Sequence, residues 1–206
     1  YESDMRRLID TYIGAEPVRK IGEFDALTLL KFVEAKGEEL GGKSREAAAE
    51  AIENNIRKKI VEKILINPKY YENLSAILDQ LIKDRHEGAI AYEALLQRYI
   101  DMVKNLENPG LQPRYPESIR KSNALMAFYD NFDEDEALAI ALDQAVRESK
   151  EADFRHNRFK ERRIKHALYE VVKDEAMTEQ IYNLVVEQSE YWVNLNIAGI
   201  QIAVFK

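Results

Sequence analysis

Four isoleucines, Ile52, Ile56, Ile60 and Ile64, follow one another at intervals of four residues. Side chains three or four residues apart share one face of an α-helix, whereas those of a strand share a face at intervals of two. Similar intervals recur along the 206-residue chain, which has only 8 Gly and 5 Pro to interrupt helices. The sequence therefore predicts an all-α fold, a multi-helix bundle of about seven to nine helices.

Capping residues and helix breakers divide this pattern into separate helices. Ser44, Asn73, Ser122 and Thr178 are predicted N-caps, because their side-chain oxygens can accept from the free amides of a first helical turn. The predicted helices cover residues 28–39, 44–64, 73–87, 92–106, 122–129, 133–150, 157–173 and 178–192. Beyond them, residues 195–205 are apolar and partly alternating, which predicts a short strand or an extended arm.

Two prolines, Pro113 and Pro116, mark the clearest loop in the chain. This loop predicts two helical subdomains, residues 1–108 and 117–206, although one continuous helical domain fits the pattern as well. Within the helices, apolar side chains at helical spacing are predicted to be buried, among them Ile77 and Phe159.

Composition excludes several classes of protein. The formal net charge is −7, and the chain has no cysteine, which rules out a disulfide framework and a thiolate site and fits a reducing cytoplasm. No apolar run is long enough to span a membrane, so the prediction is a cytoplasmic protein without a membrane partner. Because the chain begins with Tyr1 rather than Met, we expect it to be part of a longer polypeptide.

Candidate catalytic motifs are weak. The glycines form no phosphate-binding loop, and His86, His156 and His166 lack the spacing of a helical metal site. Glu34 and Lys36, which follow Asp25, imitate the order of magnesium-dependent nucleases, but their predicted helix would point side chains two residues apart in different directions. We therefore predict no catalytic residue, no metal site and no bound cofactor in this chain.

A strongly basic segment stands out from the acidic chain. Between residues 155 and 165 one acidic side chain, Glu161, accompanies six basic ones: Arg155, Arg158, Lys160, Arg162, Arg163 and Lys165. Such a patch on one helix can bind DNA phosphates or a protein partner. The alternative is ion pairing with residues 130–143, which contain six acidic side chains and no basic one.

Tyr191 and Trp192 are candidate anchors for a partner protein. They lie at the end of the last predicted helix, and desolvated Trp and Tyr side chains dominate the energetics of many interfaces. The alternative is structural, with Trp192 holding the apolar tail against the bundle.

Several sequence strings indicate a family. Residues 47–60 (AAAEAIENNIRKKI), 66–75 (INPKYYENLS), 88–92 (GAIAY), 129–131 (YDN) and 154–162 (FRHNRFKER) resemble the C-terminal helical region of the restriction (R) subunit of type I restriction-modification enzymes. The resemblance extends over about residues 8–192. Phe154 departs from it, because a Trp is expected at this place in many relatives.

This resemblance implies a large parent subunit with an endonuclease domain and two ATP- and Mg-dependent DNA translocase domains, all upstream of Tyr1. It implies that the helical region packs against its own motor domains. It also implies that this region holds the motor subunit on the modification methyltransferase subunit of a complex that includes a specificity subunit. Glu34 and Lys36 are not matched to the nuclease motif.

The predicted function is therefore that of an assembly domain, which docks the translocase and endonuclease subunit onto the methyltransferase core. The alternative is a helical module whose basic helix contacts the DNA backbone beside the motor. An independent enzyme is the least favoured hypothesis, because the sequence shows no grouping of nucleophile, base and orienting residue.

Overall fold

Seven α-helices make up most of residues 42–192, the part of the chain that the computed structural model describes. They are α1 (Gly42–Lys63), α2 (Pro68–His86), α3 (Tyr92–Glu107), α4 (Asn123–Asn131), α5 (Glu136–Ser149), α6 (Arg158–Val172) and α7 (Glu175–Glu187). Short 3-10 turns follow α3 and α7, and residues 42–192 contain no strand. The predicted all-α bundle is confirmed, with a helix number at the lower end of the predicted range.

Side-chain caps mark the start of five helices, α2 and α4–α7. Asn67 accepts a hydrogen bond from the amide of Tyr70, and Ser122 from that of Leu125, as predicted for Ser122. Asp135, Asn157 and Asp174 cap α5, α6 and α7 in the same way. Each cap satisfies amides that have no partner inside the helix.

Three predicted caps are wrong. Ser44 lies inside α1, which begins at Gly42, and Asn73 lies inside α2, which begins at Pro68. Proline suits a first helical turn because it lacks the amide that would go unpaired there, so Asn67 and Pro68 start a helix here. Thr178 is buried inside α7, where its hydroxyl donates to the carbonyl of Asp174 at 2.6 Å.

Two clusters of buried side chains form the core. The first lies between α1, α2 and α3 and includes Ile52, Ile56 and Tyr99, and the second lies among α4–α7 and includes Phe128, Leu142 and Ile164. Ile77 was predicted to be buried but is 51% exposed. It lies at one edge of the buried face of α2, about 100° around the axis from the fully buried Leu78, where solvent still reaches it.

The first cluster encloses a charged group. Glu53 is buried in α1 and accepts two hydrogen bonds from Arg85, at 2.8 and 3.0 Å, and one from the hydroxyl of Tyr99. A buried carboxylate is stable only when donors replace its lost water. These three side chains therefore hold α1, α2 and α3 in one relative position.

A polar seam joins the two clusters, where α2 packs against α4. The fully buried carboxylate of Asp130 accepts from Asn67 at 2.6 Å, from the Tyr115 hydroxyl at 2.6 Å and from Arg114 at 2.7 Å. Burial raises the pKa of Asp130, and the three donors oppose that rise. Nearby, the Gln188 amide donates to the carbonyl of Ile66 at 2.7 Å.

The predicted division at residues 109–116 falls between the two clusters, and it stays a prediction. The helix predicted over 28–39, the motif of Asp25, Glu34 and Lys36, and the predicted arm at 195–205 lie outside the described residues. Within residues 42–192, no helix combines the length and the apolar character that crossing a membrane requires.

We expect Asp130→Ala to lower the free energy of unfolding by about 3 kcal/mol, because it leaves three donors without their shared acceptor. Urea unfolding followed by circular dichroism measures this change. Asp101→Ala is the matched control, since Asp101 is exposed and, among residues 42–192, accepts only from Gln97, and it should change stability by less than about 0.5 kcal/mol. Equal losses in the two variants would contradict the role of the seam.

Candidate functional site

The site begins with the turn that starts α6. Asn157 accepts from the amides of Phe159 and Lys160, at 3.2 and 3.4 Å, and the amide of His156 donates to Glu161 at 3.0 Å. His156 has a φ of +66°, a conformation that few residues other than Gly, Asn, Asp and His adopt. These contacts fix where α6 begins and therefore which of its side chains face the core.

The core side of α6 is apolar. Ile164 and Leu168 are fully buried against α5 and α7, and Phe154 fills the core just before the helix. Phe159 was predicted to be buried, and this is wrong: it is 85% exposed. At about 100° per residue, Phe159 lies roughly 140° from Ile164 and 180° from Leu168 around the axis, so it faces solvent.

Three of the six predicted basic residues bind polar groups within the chain. Arg163 pairs with Glu151 at 2.6 Å, Lys165 pairs with Glu179 at 2.6 Å, and Lys160 donates to the carbonyl of Ala152 at 2.5 Å. The first two pairs are largely solvent-exposed, and exposed pairs of this kind add little stability. They nevertheless reduce the positive charge that these side chains present to a ligand.

The alternative for the basic segment was ion pairing with residues 130–143, and no ion pair among the described residues joins the two segments. Three of its six acidic side chains have other basic partners: Asp130 and Glu134 pair with Arg114, and Asp143 pairs with Arg147. Asp135 instead caps α5. Local geometry explains this. Asp135 and Asp143 bind groups of α5 itself, and Asp130 and Glu134 bind Arg114 in the loop before α4.

Two arginines of the basic segment are left for other partners. Arg158 and Arg162 are exposed, lie one turn apart, and make no ion pair or hydrogen bond with any residue that the structure describes. We define the outer face of α6 as the exposed residues of the helix in one sector of about 100° that contains these two: Arg158, Phe159, Arg162, His166 and Tyr169. All five are exposed, and Tyr169 is 37% exposed.

Arg155 and Trp192 form a second surface feature. The guanidinium carbon of Arg155 lies 4.2 Å from the centre of the Trp192 ring, a cation–π contact. The Trp192 indole donates to the carbonyl of Val186 at 2.9 Å, and its side chain remains 39% exposed. The pair therefore presents an aromatic ring and a cation to solvent in a fixed orientation.

Tyr191 does not fit the predicted role of partner anchor. Its side chain is fully buried, its hydroxyl donates to Asp143 at 2.7 Å, and Arg147 lies 5.5 Å from its ring centre. Burial, together with the Asp143 carboxylate, raises the pKa of Tyr191. It is a core residue that links α5 to the end of α7.

Elsewhere, a small recess opens at the seam between the two clusters, where Asn67 and Tyr70 line it together with Met126. The described residues contain no group of three or more acidic, His or Cys side chains that could hold a metal ion. The predicted lack of cofactors stays a prediction. The outer face of α6 and the pair of Arg155 and Trp192 are the features with binding chemistry.

Two phenylalanines five residues apart test the orientation of α6. Phe154→Ala should lower the free energy of unfolding by about 3–5 kcal/mol, because it empties a fully buried site. Phe159→Ala should change it by no more than about 0.5 kcal/mol. Thermal or urea unfolding compares them, and a large loss for Phe159→Ala would show that its ring is packed in the core.

Comparison with known proteins adds no family. No family model, curated protein or solved structure matches the chain. The resemblance to the type I R subunit therefore stays a prediction that rests on the quoted strings.

Proposed function

We propose that this chain is a helical assembly module, which docks an ATP- and Mg-dependent DNA translocase and endonuclease subunit onto a modification methyltransferase. The observation that carries the proposal is the half-exposed Trp192 held beneath Arg155, with 4.2 Å between ring centre and guanidinium carbon. Trp and Arg are the side chains most enriched among residues that dominate interface energetics.

The fixed geometry of this pair favours binding. The Trp192 ring is already restricted by its hydrogen bond to Val186 and by the guanidinium of Arg155 stacked on it. Little conformational freedom is therefore left to lose in a complex. Arg155 is partly buried, and its Nε has no hydrogen-bond partner within the described chain.

The partner's identity comes from the sequence resemblance. The strings at 47–60 and 66–75 belong to α1 and α2, and the string at 154–162 includes Arg155 itself. The specificity subunit and the chain's own motor domains are further contacts in this proposal. A cytoplasmic location goes with it, since a chain without cysteine suits a reducing compartment.

We expect Trp192→Ala to weaken capture of the modification methyltransferase from the same source by about thirtyfold, the typical loss at a dominant interface residue. Arg155→Ala should weaken it as well. Surface-immobilised methyltransferase and the 206-residue chain in solution give the affinities. Leu111→Ala is the control, because Leu111 is also an exposed apolar residue, at 77%, but lies in the 3-10 turn after α3.

The outcome that contradicts docking at this place is capture of both variants with the affinity of the unsubstituted chain. Circular dichroism confirms that each variant is folded. Loss of capture by Leu111→Ala as well would show that the assay reports general surface hydrophobicity.

A second candidate function is contact with the DNA backbone by α6. The observation that favours it is that Arg158 and Arg162 have no partner among the described residues, whereas Arg163 and Lys165 each have a carboxylate. Unpaired guanidinium groups suit phosphates, which they can bind through two parallel hydrogen bonds. The overall charge of −7 opposes DNA binding, so the contact must be local and weak at high salt.

If α6 contacts phosphates, Arg158→Gln with Arg162→Gln should weaken duplex binding and lower the slope of log affinity against log salt by about 2. Fluorescence anisotropy of a labelled duplex over a salt series measures both effects. Arg98→Gln with Lys104→Gln on α3 is the matched control, because these residues are also exposed and unpaired among the described residues. Equal slopes for the two double variants would rule out a specific role of α6.

A further inference from the structure

We infer that the outer face of α6 is a binding site for single-stranded nucleic acid, in which Phe159 stacks on a base while Arg158 and Arg162 bind the neighbouring phosphates. The inference rests on the second candidate function, contact with DNA by α6, and names the form of nucleic acid that this face suits.

Most of the residues of α6 near Phe159 in the sequence are basic. On α6 itself, the residues one turn from Phe159 are Arg162 and Arg163, and His156 precedes it by three residues. A protein-docking surface normally has an apolar centre inside a polar rim. Phe159 instead is a single ring, 85% exposed, with Arg158 and Arg162 beside it on the same face of α6.

An aromatic ring beside cations matches the chemistry of a single strand. Proteins that bind single strands combine positive side chains along the backbone with aromatic side chains on which unpaired bases stack. Bases inside a duplex are already stacked on each other, so their faces are closed to Phe159. A duplex would use Arg158 and Arg162 and leave the exposed ring without a role.

A second aromatic continues the same face. Tyr169 lies ten residues after Phe159, about 15 Å along the helix, and within about 80° around its axis. His166 lies between them on this face. The Lys173 ammonium is 5.9 Å from the Tyr169 ring centre and pairs at 2.6 Å with Glu170, the acidic residue that follows Tyr169 in the sequence.

The carboxylates that border this face are also paired. Glu151 binds Arg163 and Glu179 binds Lys165, each at 2.6 Å, so their negative charge is partly neutralised. The outer face of α6 therefore keeps a local positive potential from Arg158 and Arg162 on a chain that is acidic overall.

The test uses the 206-residue chain with fluorescein-labelled oligothymidylate of about 16 nucleotides, and a duplex of equal length, at low salt. We expect tighter binding of the single strand than of the duplex. Phe159→Leu should weaken single-strand binding by about tenfold and leave duplex binding unchanged, whereas Phe159→Trp should retain it. Leucine keeps the apolar character of Phe159 and removes the ring, so the pair of variants separates stacking from hydrophobic contact.

Every other result contradicts the inference, and each shows which part of it fails. If the duplex binds at least as well as the single strand, or if Phe159→Leu has no effect, the stacking site fails while backbone contact by Arg158 and Arg162 still stands. If neither probe binds, or if Arg158→Gln with Arg162→Gln changes neither affinity, both the inference and the second candidate function fail. If Phe159→Leu weakens capture of the methyltransferase but not of either probe, the outer face of α6 is a protein-docking surface.

Discussion

The carboxylate of Asp130 lies where the two hydrophobic clusters meet, and it has no contact with water. It is stable there because Asn67, Tyr115 and Arg114 supply its donors from the start of α2 and from the loop before α4. A short polar bond has strict distance and angle limits, whereas apolar contacts can slide. Together with the hydrogen bond from Gln188 to Ile66 and the packing of α2 on α4, this acceptor restricts the position of the first three helices relative to the last four, and with it the place of the surface features on α6 and α7.

The surface chemistry follows from how α6 enters the second cluster. The turn at His156 and the cap at Asn157 set the first residue of the helix, and Ile164 and Leu168 set its rotation. Once these are fixed, Arg158, Phe159 and Arg162 must face solvent together. A positive face then exists on an acidic protein because acids from outside α6 pair with its other cations, Glu151 with Arg163 and Glu179 with Lys165.

Local patterns in the sequence predicted much of the fold. The buried residues of α3, among them Leu95, Tyr99 and Val103, follow the 3.6-residue period directly, and Ser122 caps α4 as expected. Asn67 with Pro68 was misread because the same pair can end one helix or begin another, and only the packing of Tyr70 and Tyr71 decides between them.

The candidate site was less predictable. The basic segment was visible in the sequence, but the partners of Arg163 and Lys165 lie 12 and 14 residues away, across a turn and on another helix. Tyr191 and Trp192 look equivalent in the sequence, yet one is buried beside Asp143 and the other is half exposed. The exposure of Phe159 follows only when its angular position around the helix axis is compared with those of Ile164 and Leu168. Counting apolar residues at helical spacing omits this step.

Trp192 has a consequence for how this molecule can be observed. It is the single tryptophan of the chain, so the intrinsic indole emission of the protein arises from one place. That indole lies against a guanidinium and is partly hydrated, two conditions to which its emission wavelength and intensity respond. Binding of any ligand that displaces Arg155 or removes water from the ring would therefore change the fluorescence of the protein, without a label and without a change to the sequence.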